Sequence, residues 1–153
     1  MRIFQKQRFR IALVILLTAV LACIAAFAVY VNNYYHAEPA AVQAMASAET
    51  VTVYELEDGV TVFAPEEPMA GFIFYPGGKV EHTAYAPLLH ACAERQILCV
   101  LIRMPCNLAV LNANGANGIQ EQFPEIGHWY IGGHSLGGAM AASYAAGHAG
   151  KLD

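Results

Sequence analysis

Hydrophobic and polar positions fall into distinct regimes along this chain. Residues 11–31 carry no charge and no proline, and at ~1.5 Å per residue such a run matches the ~30 Å hydrocarbon core of a bilayer. Residues 36–49, HAEPAAVQAMASAE, show no sustained apolar face and read as part of a stalk over 32–49. Residues 51–56, VTVYEL, then alternate; Asp58-Gly59 signals a hairpin turn, and residues 60–63, VTVF, alternate again, so an antiparallel hairpin is expected. Residues 71–75, GFIFY, form a continuous apolar run closed by Pro76-Gly77-Gly78, the pattern of a strand covered on both faces. Within 84–94, Leu88, Leu89, Ala91 and Cys92 recur at helical spacing. Residues 97–102, ILCVLI, predict the next strand, ended by Met104-Pro105. Asn107 is a candidate cap for a helix through Val110 and Leu111, weakened by Asn114, Gly115, Asn117 and Gly118. Residues 129–131 predict a third strand and 139–148 the helix behind it. Strands and helices in this alternation predict an α/β fold: a three-layer parallel sheet with a leading antiparallel hairpin, plus one N-terminal transmembrane helix.

Charge sharpens the N-terminal reading. Arg2, Lys6, Arg8 and Arg10 precede the apolar run, and Tyr30, Tyr34 and Tyr35 gather at its far end. The positive-inside rule then makes 1–10 a basic cytoplasmic tail and 11–31 a single-pass membrane segment, with the domain external. Ala26-Phe27-Ala28 also fits a small-x-small cleavage site, so a cleaved signal peptide stands as the alternative, although its apolar region would be long for one. Val20-Leu21-Ala22-Cys23 resembles a lipoprotein box, but an apolar stretch follows where a mature lipoprotein is polar.

Composition removes other classes. Net charge is −4 and no basic cluster lies beyond the first ten residues, so a nucleic-acid partner lacks its electrostatic footprint. Cys23, Cys92, Cys99 and Cys106 form neither a CxxC pair nor a close histidine spacing, so no metal or cofactor is expected, and they read as small hydrophobes rather than a disulfide framework.

The chemistry concentrates at Gly133-His134-Ser135-Leu136-Gly137, a G-x-S-x-G sequence between a strand and an alanine-rich helix. A serine on so sharp a turn needs neighbours without side chains two residues away on either side, which Gly133 and Gly137 provide. The turn exposes the hydroxyl, and the helix after it points N–H groups at developing negative charge. Ser135 is therefore the candidate nucleophile and the Leu136 backbone N–H one candidate oxyanion donor. The loop after strand 71–75 supplies the second, at Gly78 or alternatively at Lys79.

Residues 71–148 resemble the N-terminal half of an α/β-hydrolase, more specifically the α/β-hydrolase fold-5 domain related to dienelactone hydrolases. The carrying stretches are FYPGGKVEHTAYAPL (74–88), RMPCNLAVL (103–111) and WYIGGHSLGGAMAASYA (129–145). The resemblance implies ester or related acyl hydrolysis of a small-molecule substrate by Ser135, often with a membrane anchor. Dienelactone hydrolases proper carry cysteine at this position; serine argues for esterase-like chemistry. In the hydrolase order the acid and the histidine follow the serine, yet residues 136–153 offer only His148 and Asp153. His148 falls ~20 Å along the following helix at 1.5 Å per residue. His134 reads as structural and His82 as a surface residue, and His36, His90 and His128 have no partner signal. The expectation is thus a truncated α/β-hydrolase domain over 50–153, inactive as it stands. The alternative is a non-catalytic, membrane-bound α/β module that binds a partner or small ligand.

Overall fold

A computed structural model describes residues 2–153. It divides into two compact units, residues 1–33 and 34–153. The first is one long helix, α1 (Arg2–Asn32). Its segment Lys6–Asn32 holds an 18-residue stretch with a mean hydropathy of 2.9 and is long and apolar enough to cross a membrane. Apolar side chains emerge on every side of it, including Phe9, Ile15, Leu21 and Val29. Two polar side chains within it bond back to the helix: Thr18 Oγ1 donates to the Val14 carbonyl at 2.9 Å and Asn32 Nδ2 to that of Ala28 at 2.8 Å.

The second unit is built on a five-stranded sheet: β1 (Val51–Glu55), β2 (Thr61–Pro65), β3 (Ala70–Tyr75), β4 (Ile97–Leu101) and β5 (Trp129–Gly133), in the spatial order β1-β2-β4-β3-β5. The expected antiparallel hairpin forms between β1 and β2. It does not stand apart from the sheet, because β2 pairs antiparallel with β4 through Thr61↔Leu101, Val62↔Val100 and Phe63↔Cys99. The sheet is therefore mixed rather than parallel; β3 alone has parallel partners on both sides, β4 and β5.

Alternation along the central strands feeds two cores, which explains their continuous apolar runs. On one face, Phe74, Cys99 and Leu101 pack with Val51 and Phe63 under α3 (Ala86–Ala93), whose Ala86, Leu89 and Ala93 are buried there. On the other, Ile73, Tyr75, Val100 and Ile102 meet Ala141 and Tyr144 of α4 (Leu136–Gly147) together with Met104, Ala116, Ile119 and Phe123. Helix, sheet and helix make the three layers.

The local expectations differ from the structure in several places. The helix expected from Asn107 is a pair of 3-10 turns, Pro105–Asn107 and Ala109–Asn112. Cys106 and Asn107 both take φ of 53°, the left-handed region, which interrupts any helical ladder there. The expected helix 84–94 begins as a 3-10 turn, His82–Tyr85, before α3. The helix after the serine starts at Leu136, as expected at the turn, and ends at Gly147, one residue before the expected His148. Finally, the expected stalk is docked from Tyr34 onward. Tyr35 N–H donates to the Lys79 carbonyl at 2.8 Å, and Glu81 N–H returns a bond to the Tyr35 carbonyl at 2.9 Å. Its short helix α2 (Pro39–Gln43) buries Ala41, and Ala44 and Met45 extend the core under α3.

Candidate active site

β3 and β5 run parallel, with Tyr75 beside Gly133, so both chains leave the sheet at the same end. The turn after β5 carries Ser135 at φ 51° and ψ −119°, with its side chain exposed. For a residue with a Cβ this backbone is strained on the order of 1–3 kcal/mol. The surrounding bonds hold it: His134 N–H donates to the Tyr75 carbonyl at 3.1 Å, Gly137 N–H to that of His134 at 2.9 Å, and Ala139 N–H to that of Ser135 at 3.1 Å. The two glycines are explained by contact with backbone. A Cβ on Gly137 would collide with the carbonyl oxygens of Tyr75 and Pro76, and one on Gly133 with that of Tyr75 and with Gly137 itself.

The loop after β3 folds directly over this turn. A Cβ on Gly78 would lie 3.0 Å from Leu136 Cδ2 and 3.4 Å from its Cβ, so the two candidate donor residues are neighbours. Among the described residues, the N–H groups of Gly78 and Leu136 donate to no carbonyl or side chain. Lys79 differs. Its N–H donates to the Asn107 carbonyl at 2.8 Å, so of the two loop residues considered, Gly78 retains the uncommitted donor. Lys79 itself takes φ of 59°, the bend that turns the loop toward Asn107.

Tyr85 was not singled out by the sequence. It stands where the 3-10 turn joins α3, its ring against Phe74 at 4.9 Å between centroids. Its hydroxyl accepts the Gly77 N–H at 3.0 Å and lies 2.9 Å from His134 Nδ1. Burial raises its pKa, opposed by the Gly77 bond. The only prior signal was its place within FYPGGKVEHTAYAPL, since the contact spans 49 residues to His134.

Among the described residues no histidine hydrogen-bonds the Ser135 hydroxyl. His134 turns toward Tyr85. His148, at the end of α4, contacts the Tyr144 carbonyl through Nδ1 at 2.8 Å and stacks on the Tyr144 ring at 3.9 Å. His82 is half-buried and its pKa is lowered, first by burial and then by the Arg103 charge. A histidine–aspartate contact does exist, His128 Nδ1 to Asp153 Oδ2 at 3.3 Å. It sits at the other end of β5 from Ser135, roughly 20 Å away at ~3.3 Å per residue. There Asp153 also accepts the Trp129 N–H at 2.9 Å, and that bond, ahead of His128, lowers its pKa. Among the described residues no grouping of His, Cys, Asp and Glu side chains could hold a metal ion. A cavity of about 620 Å³ lined by Arg103, Glu57, Asn112 and Asn117 opens beside β4 and does not include Ser135.

A mixed sheet in this strand order, with a strained serine between a parallel strand and a helix, defines an α/β-hydrolase-like fold. Residues 71–153, more than half of the chain, match the model described as Alpha/beta hydrolase family, and the chain belongs to that family. No curated protein matches it. Among solved structures, an esterase of Pyrobaculum calidifontis is 17% identical, with 70% of this chain and 42% of that chain covered at a TM-score of 0.51. A thermostable esterase from Pseudomonas putida ECU1011 is 22% identical, with 72% and 44% covered at a TM-score of 0.45. The chain thus spans less than half the length of either esterase chain.

Proposed function

We propose that this chain is a membrane-anchored serine hydrolase of esterase type. One observation carries the chemistry: Ser135 is exposed at φ 51° on a turn where Gly78 and Leu136, whose N–H groups are uncommitted among the described residues, are neighbouring residues. In this reading the Ser135 hydroxyl attacks the carbonyl carbon of a small-molecule ester or related acyl compound. The oxygen that becomes negative is received by the Gly78 and Leu136 N–H groups. The positive end of α4, a 12-residue helix, adds to the same field. Each such donor is worth about 10²–10³ in rate.

The hydroxyl also needs a base. Among the described residues no histidine is bonded to Ser135, which supports the view that this polypeptide alone has little turnover, the activating acid and histidine being supplied by segments outside it. Loss of the base costs about as much as loss of the serine. The hydropathy of Lys6–Asn32 supports residues 11–31 as the membrane span, with 1–10 cytoplasmic and the domain external. The docking of residues 34–49 favours a hydrolase domain beginning at Tyr34 rather than at 50.

The test is prolonged labelling of the full chain, in detergent micelles, with a fluorophosphonate probe, which is electrophilic enough to report slow reaction of a serine held beside oxyanion donors even without its base. Labelling that Ser135→Ala abolishes supports the nucleophile. Absence of labelling in the wild type favours the non-catalytic binding module instead.

A further inference from the structure

Gly78 and Leu136 belong to segments far apart in sequence, and an oxyanion site requires the gap between their N–H groups to be fixed to within a fraction of an ångström. The direct contact between the two residues is a flexible leucine side chain against a glycine, which sets no such distance. The backbone bonds near the gap bind the turn to β3 and to itself, through His134 to Tyr75 and Gly137 to His134, and the loop to itself and to segments away from the turn, through Val80 to Gly77, Lys79 to Asn107 and Tyr35 to Lys79. The Tyr85 hydroxyl reaches both halves. The Tyr85 hydroxyl lies 3.0 Å from the N of Gly77, one residue before Gly78, and 2.9 Å from Nδ1 of His134, one residue before Ser135.

We propose that Tyr85 is a positioning residue, a hydroxyl clamp that ties the loop to the turn and thereby sets the opening between the Gly78 and Leu136 donors. The geometry suits that role on three counts. The ring is braced against Phe74, itself buried in β3, so the hydroxyl is carried on a rigid lever rather than a mobile side chain. Gly77 must be glycine for the clamp to close, because a Cβ there would sit 2.6 Å from His134 Nδ1 and 2.8 Å from the Tyr85 oxygen. The hydroxyl can also serve both partners: it accepts from the Gly77 N–H, which leaves its own proton free to be donated to His134 Nδ1. In the clamp that donation would hold the imidazole as the Nε2–H tautomer. His134 is in this way a structural partner whose ring faces the loop, not a base for the adjacent serine.

The kinetic part of the proposal rests on the acyl-hydrolase reading above; the structural part does not. The test uses the full chain in detergent micelles with Tyr85→Phe, which keeps the ring against Phe74 and removes only the hydroxyl. His134→Phe, which keeps a ring and removes Nδ1, is the second variant. In Tyr85→Phe the Gly77 amide is expected to exchange with solvent at least about tenfold faster. The long-range ¹H–¹⁵N spectrum of the His134 imidazole is expected to change from one tautomer to a mixture. Fluorophosphonate labelling of Ser135 is expected to slow by roughly ten- to a hundredfold, while Tm moves by no more than about 5 °C. The double variant is expected to be no slower than the worse single one, because both remove the same link. Unchanged Gly77 exchange and an unchanged His134 tautomer would overturn the clamp, as would unchanged labelling by Tyr85→Phe. If the wild type is not labelled at all, the acyl-hydrolase reading fails, and the exchange and tautomer measurements still decide the clamp.

Discussion

The two ends of β5 hold similar chemical groups in opposite circumstances. At the carboxyl end Ser135 is strained and exposed, beside backbone donors that have nothing to bind. At the amino end His128 and Asp153 are paired, and the aspartate is further satisfied by the Trp129 N–H. A serine, a histidine and an aspartate are thus all present near one five-residue strand, yet they form no triad, since the strand separates them by roughly 20 Å. Reactivity here depends on which end of a strand a residue leaves from. Residue type alone would have paired the wrong groups.

The largest expected effect is at the carboxyl end: Ser135→Ala removes all fluorophosphonate labelling and leaves folding intact. Gly137→Ala comes next, because its methyl has no space against the Tyr75 and Pro76 carbonyls. We expect at least about 2–3 kcal/mol of destabilisation, seen as a clear fall in denaturant midpoint, together with lost labelling. An Ala variant of wild-type stability would show that the turn is looser than its geometry. Tyr75→Phe probes the layer beneath. The Tyr75 hydroxyl, its pKa pushed up to about 12 by burial, accepts the Ala116 N–H at 2.8 Å and donates to the Ala113 carbonyl at 3.0 Å. Removing it leaves the buried Ala116 N–H and the part-buried Ala113 carbonyl without this partner, for an expected loss of about 1–3 kcal/mol by chemical denaturation.

Asp153→Asn acts at the opposite end and should be smallest. The folded-state pKa of Asp153 lies below its ordinary value. Its contribution is therefore present above the unfolded carboxylate pKa and is lost as pH falls through the lowered folded value. Melting temperatures recorded from pH 6 downward should show a shallower acid-side fall in the variant, with Ser135 labelling at pH 7 unchanged. A change in labelling would couple the two ends and break the contrast.

Much of the carboxyl end was legible in the sequence because its signals are local. Gly133, Ser135 and Gly137 state the turn, and the apolar strand before it and the alanine helix after it state the context. The loop at Gly78 follows from the strand 71–75 in the same way. What was not legible depends on contacts between distant segments. Lys79 and Gly78 are equivalent donors on paper, and only the approach of Asn107 commits one of them. Nothing near Tyr85 announces that its hydroxyl will find residue 134. The hairpin was readable from Asp58-Gly59, but its antiparallel pairing with β4, which makes the sheet mixed, is a property of the assembled fold. The segment 105–122 misled because Asn107 is a favourable cap, whereas its observed φ of 53° serves the loop instead. The segment 36–49 lacked an apolar face and so read as a spacer; Ala41 is small enough to dock without one.

The interlock of Gly133 and Gly137 with the carbonyls of Tyr75 and Pro76 has a consequence for how the site is lost as well as how it is held. Among the described residues β5 pairs with β3, and the serine keeps its costly backbone angles only while that pairing lasts. Partial opening at this border would let Ser135 relax into an ordinary conformation while the helices and the remaining strands persist. The reactive form is therefore conditional on local order: a damaged or incompletely folded copy would disarm itself before it unravels, and would not carry a stray nucleophile.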